Sequence, residues 1–112
     1  MTKHYETIHT EDTQGFHIVF SVSWEDMHPR DSFDDSCHDI EDICRKIDDG
    51  TYVWFMARVE AFRHGILLAS DYLGGCLYES YCKFIDDAYY EDMVDNVIRE
   101  SKQTLEKLYQ TA

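Results

Sequence analysis

Phe16, Ile18, Phe20, Val22 and Trp24 alternate with His17, Val19, Ser21 and Ser23. A period of two commits this segment to a half-buried strand, because successive side chains on a strand point to opposite faces. Asp12-Thr13-Gln14-Gly15 just before it is a turn signal, so residues 4–9 are the hairpin partner. Residues 52–62 are the longest strand candidate, with Val53, Phe55, Ala57, Val59 and Ala61 on one side and Tyr52, Trp54, Met56, Arg58, Glu60 and Phe62 on the other. Both sides begin apolar, as in a central strand covered partly on each face. Arg63-His64-Gly65 reverses the chain, residues 66–72 return, and Gly74-Gly75 closes the hairpin.

Between the hairpins the period changes. Cys37, Ile40, Ile43, Cys44 and Ile47 recur at helical spacing, which predicts a helix over 36–49. Ser36 caps its start with Asp39 in the capping-box position, and Gly50 sits where a C-terminal glycine belongs. After the second hairpin, Tyr81, Phe84, Ile85 and Ala88 form a short amphipathic face. A longer helix follows with Met93, Val94, Val97, Ile98, Leu105 and Leu108 on its inner side. The expected fold is α+β: one domain over residues 1–112, with two hairpins making a four-stranded antiparallel sheet and three helices mainly on one face, in the order ββ-α-ββ-αα.

The chemistry-bearing residues do not assemble into an enzyme motif. Cys37 and His38 are neighbours, and neighbours on a helix point about 100° apart rather than at each other. The spacing of Cys37, Cys44, Cys76 and Cys82 matches no zinc pattern, and these read as reduced core thiols. Residues 31–42 lack the glycine and ligand alternation of an EF-hand. Residues 70–78 hold the glycines of a phosphate loop without its lysine and beside Asp71 and Glu79, which repel phosphate, so they read as a strand-to-helix turn. His4 and His17 could meet across the first hairpin. The expectation is a protein with no catalytic residues, no metal and no cofactor. Without a signal core or a long apolar run, the reading is a cytoplasmic protein that does not enter the membrane.

Charge carries the remaining signal. The chain has 23 acids against 10 Lys and Arg, a net charge of −13, while its eight Tyr, six Phe and two Trp mark a folded body rather than an acidic tail. Residues 25–49 hold ten of the acids against three bases, and 86–95 hold five against none. Such a surface excludes direct nucleic-acid binding, which needs a basic face, and favours a basic protein surface as partner. Acids at helical spacing have a charge density comparable to the phosphates of DNA, one per about 1.7 Å of axis. Asp31, Asp34, Asp35, Asp39, Asp42 and Asp49 are the candidate stripe, with Trp24, Phe33 and Tyr90 as aromatic anchors. Solubility is the competing explanation of the same charge.

The run of residues 70–78 with Ser80-Tyr81, and Tyr89-Tyr90-Glu91-Asp92-Met93, resembles small acidic anti-defence proteins of phages and prophages, of the anti-CRISPR and anti-restriction types. The resemblance implies a non-enzymatic inhibitor, a nucleic-acid mimic docking on a basic surface of a CRISPR surveillance complex or restriction enzyme. The alternative is a regulatory or assembly protein acting through its sheet, as a homodimer or with another chain, with Tyr52, Trp54 and Met56 as an uncovered patch.

Overall fold

The computed structural model describes residues 4–32 and 39–111. Strands β1 (Glu6–Thr13), β2 (Phe16–Trp24), β3 (Val53–Arg63) and β4 (Ile66–Tyr78) form one antiparallel sheet in the order β1-β2-β3-β4. Helices α1 (Pro29–Ser32) and α2 (Ile40–Asp48) connect β2 to β3, and α3 (Tyr81–Ile85) and α4 (Ala88–Thr111) follow β4. This is the expected α+β order with its three helices. The single turn α1 is added in a stretch that reads as loop, opened by a proline whose fixed φ suits a first helical position.

Both hairpins close on two residues of positive φ: Gln14 (53°) with Gly15 (83°), and His64 (53°) with Gly65 (76°). Two successive left-handed residues make the type I′ turn whose twist matches the strands it joins. The tight first turn extends β1 to Thr13 and pairs Asp12 with His17. His17 Nδ1 lies 2.8 Å from Asp12 Oδ1, and His4 sits at the far end of the hairpin, so the two histidines do not meet.

The period-two side chains converge as expected. Phe16, Ile18, Phe20 and Val22 of β2 and Phe55, Ala57, Val59 and Ala61 of β3 are all buried. Phe84, Tyr90, Met93, Val94, Val97 and Ile98 from α3 and α4 complete this core. On the other face, Ser21 and Ser23 are also buried, against the expectation of a half-exposed strand. The Tyr5 hydroxyl donates to Met56 Sδ on β3 at 3.4 Å, so its ring crosses over β2. Arg58 Cζ lies 4.0 Å above that ring.

Gly74-Gly75 does not close the hairpin. β4 runs through it to Tyr78, with a register shift between the pairs Phe55–Cys76 and Ala57–Leu73. Gly75 has φ +67°, and its N–H donates to Glu25 Oε2 at 2.6 Å. A Cβ at Gly74 would meet the same carboxylate oxygen at 3.0 Å. The pair therefore forms a β-bulge seated on Glu25, and the expected strand-to-helix turn is corrected to continuous strand.

Helix α2 begins later than its sequence pattern. Asp39 is its N-cap, accepting the Asp42 N–H at 3.1 Å, and Ser36, Cys37 and His38 lie outside the described residues. Gly50 follows the helix with φ +84°, as expected. Ile40 is buried, Ile43, Cys44 and Ile47 are half-buried, and no described α2 residue joins the main core. Helix α4 has 24 residues, about 36 Å at 1.5 Å per residue. Its end overruns the sheet: Leu105 packs on the core, but Leu108, placed on the inner side by its spacing, is 58% exposed. The cysteines also divide. Cys76 is buried, Cys44 half-buried and Cys82 exposed, so among the described cysteines the core-thiol reading holds in full for Cys76 alone, and Cys37 lies outside the described residues.

Candidate functional site

The acidic helix is where sequence expectation and structure can be compared residue by residue. Asp39 is engaged in capping. Asp42 pairs with Arg45 one turn away and with Lys46 Nζ at 3.1 Å. The Lys46 hydrogen bond leads in holding the Asp42 carboxyl below its ordinary value, and the same contact raises Lys46. Asp49 accepts from the Thr51 hydroxyl at 2.6 Å and the Thr51 N–H at 2.9 Å, and the hydroxyl leads in lowering its pKa. Asp31 is exposed on α1, and Phe33, Asp34 and Asp35 lie outside the described residues. The expected stripe is thus partly spent on the helix itself: Asp42 is paired with its own neighbours, Asp39 accepts a backbone N–H, and Asp49 accepts the N–H and hydroxyl of Thr51.

The acid left facing outward on α2 is Glu41 and Asp48, with Asp49 at the end. These three line a shallow groove of about 570 Å³ with His28, Cys44 and Arg45. Glu41 and Asp48 are missing from the expected stripe. Their signal was the i, i+7 spacing, each one residue after Ile40 or Ile47 and so about 100° round the helix from the buried side.

Next to the groove lies a second concavity of about 430 Å³. Its walls are the start of β1, the end of β2, the start of β3, the last turn of α2 and Tyr81 of α3. Trp24, Tyr52, Trp54, Phe55 and Tyr81 give it an aromatic lining, with Glu6 and Ser23 as polar groups. Asp49 lines the groove and Gly50 lines the cleft, so the two concavities meet at this pair. The Trp54 indole N–H donates to the Met27 carbonyl at 2.8 Å, which fixes that ring. Trp24 is 51% exposed. Burial first, and the Glu6 charge second, push the Tyr81 phenol above its ordinary value.

Of the expected anchors, Trp24 lines this cleft. Tyr90 does not: it is buried, in edge contact with Phe20 at 5.5 Å, and its hydroxyl donates to Glu11 Oε2 at 3.1 Å. Its spacing of three and four from Met93 and Val94 is the signal that it faces inward. The expected patch of Tyr52, Trp54 and Met56 is half-buried and divided. Tyr52 and Trp54 line the cleft, while Met56 lies under Tyr5 and beside Gly74.

The second acid block is partly structural too. Asp87 Oδ2 accepts the Tyr78 hydroxyl and Oδ1 accepts the Ala88 N–H, both at 2.6 Å, at the entry to α4. Burial leads in raising the Tyr78 phenol, and the Asp87 contact adds to it. Glu91, Asp92 and Asp95 are exposed along α4. No helix among the described residues is long and apolar enough to cross a membrane. Comparison with protein-family models, curated proteins and solved structures finds no match.

Proposed function

We propose that the protein is a non-enzymatic inhibitor that docks on a basic, nucleic-acid-contacting surface of a larger assembly. The observation that carries this reading is the acidic groove of Glu41, Asp48 and Asp49 set directly against an exposed aromatic cleft. Acid alone serves solubility, and aromatic lining alone serves packing. Together on ordered elements they form the pattern of a protein interface, a desolvated aromatic centre with a charged rim. Long-range charge speeds the encounter, and the cleft supplies the contacts that slow dissociation. The sequence resemblance narrows the partner to a bacterial defence complex, with a CRISPR surveillance complex as the first target to assay.

The test is a binding and inhibition assay against such complexes at two salt concentrations, with Glu41 and Asp48 both reversed to Lys. The expected outcome is inhibition that weakens at high salt and is lost in the double reversal. Inhibition indifferent to both changes would remove the acidic groove from the interface.

A second reading rests on a different observation. β4 is an edge strand of 13 residues whose single charged residue is Asp71, with Ile66, Leu67 and Tyr72 exposed. The other edge, β1, is guarded by Glu6, Glu11 and Asp12. Native proteins blunt such edges with charge or cover them, so a second copy pairing along β4 is the alternative partner. Light scattering behind size exclusion separates the two: a concentration-dependent dimer dissociated by Leu67→Lys favours the sheet edge.

A further inference from the structure

Helices α3 and α4 pack on one face of the sheet, where Phe84, Tyr90 and Val97 join Phe20, Phe55 and Val59. Register sets out the opposite face in rows that cross the strands. Thr7, Ser21, Arg58 and Tyr72 form the first, Thr10, Val19, Glu60 and Ser70 the second, and Asp12, His17, Phe62 and Leu67 the third. Tyr5 lies over the first row, with Arg58 Cζ 4.0 Å from its ring centre and the Tyr72 ring 6.5 Å away. The other two rows are lower: Val19 and Phe62 are half-buried, and Leu67 is 48% exposed. Charge divides along the same line. Arg58 in the first row and Glu60 in the second are the charged residues of those rows, and Arg58 Nε lies 3.2 Å from Glu60 Oε1. The contact is an ion pair without a hydrogen bond, since Arg58 Nε makes none. A chain of net charge −13 is thus neutral at the centre of this face, where two copies meet with least repulsion.

We infer that two copies of this chain stack face to face through β2, β3 and β4, about a two-fold axis crossing β3 between Arg58 and Glu60. This deepens the second reading above by naming how the second copy sits, and it uses no residue of the acidic groove. A two-fold contact must be self-complementary, each residue meeting on the partner what its counterpart meets in return. This axis sets the raised first row of one copy over the low rows of the other, and Arg58 of each over Glu60 of the other. Stacked sheets lie about 10 Å apart with interdigitated side chains, so one layer from each copy fills the gap. Leu67 and Tyr72 separate this arrangement from pairing along the edge. Strand side chains stand roughly perpendicular to the sheet, so a copy added beside β4 leaves both exposed, whereas a copy laid on the face covers both.

The experiment exchanges charge at the axis. Arg58→Glu leaves two acids at the centre of the face, and Glu60→Arg leaves two bases. By light scattering behind size exclusion, the native chain is expected to form a dimer as its concentration rises, and each variant to stay a monomer. An equimolar mixture of the two variants is expected to recover a dimer, with native mass spectrometry showing one copy of each. Should either variant not fold, hydroxyl-radical labelling of the native chain reads the same face. Labelling of Phe62, Leu67 and Tyr72 is expected to fall as the dimer forms. Tyr89 and Tyr109, 58% and 83% exposed on α4, are expected to keep their rates. A dimer in which Phe62, Leu67 and Tyr72 stay equally labelled overturns the inference. So does a dimer that Leu67→Lys dissociates but neither charge exchange affects; that result keeps the second reading, with the copies paired along the β4 edge. A monomer at every concentration removes both.

Discussion

Phe84 is the residue on which the core turns. Its ring is within 5.1 Å of Tyr78, 5.2 Å of Phe20, 5.5 Å of Phe55 and 6.2 Å of Tyr90, and it is 0% exposed. Truncation leaves a cavity ringed by four aromatics that cannot collapse independently, so Phe84→Ala is expected to cost about 3–5 kcal/mol in urea unfolding. A loss under about 1 kcal/mol would mean that α3 repacks. Two neighbours give a pH prediction. Burial leads in raising both Tyr78 and Tyr90 above the ordinary phenol value of 10.0. A phenol that holds its proton more tightly folded than unfolded contributes fully below the unfolded value and loses that contribution as pH rises past it. Stability is therefore expected to fall as pH climbs above about 10, and Tyr90→Phe to make the fall shallower. At neutral pH the same variant is expected to lose about 1 kcal/mol with the Glu11 bond. Cys76 follows the same logic, since burial pushes its thiol up to about 12. In the folded chain a disulfide reagent at pH 8 is expected to label Cys82 quickly and Cys76 only on unfolding, with peptide mass spectrometry as the readout.

At the scale of elements, what was legible in the sequence was what local periodicity governs. The alternation in 16–24 and 52–62 marked both central strands and their core faces, because a period of two leaves no choice of which side is buried. The turns at Gln14-Gly15 and His64-Gly65 were visible in their glycines. Gly74-Gly75 was misread because a bulge and a turn make the same backbone demand, and only Glu25, fifty residues away, distinguishes them. Ser21 and Ser23 looked solvent-facing because the ring that covers them belongs to Tyr5. The aromatic cleft is only partly legible: the sequence marks Trp24 as an anchor and Tyr52 with Trp54 as a patch, and their meeting depends on sheet register and on α2. Helix α2 itself carries the element-scale prediction. No described α2 residue joins the main core, so its stability is expected to be largely local. Asp39→Ala removes the cap and is expected to cost about 1 kcal/mol. That loss should register as faster amide exchange in residues 40–48 with the global midpoint nearly unchanged. A midpoint shift matching the full loss would show that α2 unfolds only with the sheet. Asp42 and Asp49 both titrate below the ordinary 3.8, so their contribution is present above that value and is lost as pH falls below it. Exchange in the same residues is expected to show added opening on acidification through that range.

On the scale of the whole molecule, shape and charge act together. The Cα radius of gyration is 16.5 Å, against about 13 Å for a compact chain of this length. The extents of 56 × 31 × 23 Å reflect α4 running past the sheet. Such a form spreads the acids over a long surface, but the Debye length near 0.1 M salt is only about 10 Å, so repulsion between neighbours on one face is the part that survives. Intrahelical pairs such as Asp42 with Lys46 pull the other way, since salt weakens them, yet exposed pairs contribute little each. With 23 acids against 10 bases, like-charge pairs outnumber opposite-charge pairs over the whole chain. Salt should therefore stabilise this fold, the reverse of its expected effect on docking to a basic surface. Raising sodium chloride from low to about 0.5 M is expected to lift the melting temperature by about 4 °C, corresponding to roughly 1 kcal/mol of relieved repulsion. Replacing the exposed Glu91 and Asp92 by Lys should shrink that response while leaving the core untouched. A melting temperature that stays flat or falls with chloride would mean that local pairing outweighs the net field. The acid blocks would then be balanced within the fold rather than held out toward a partner.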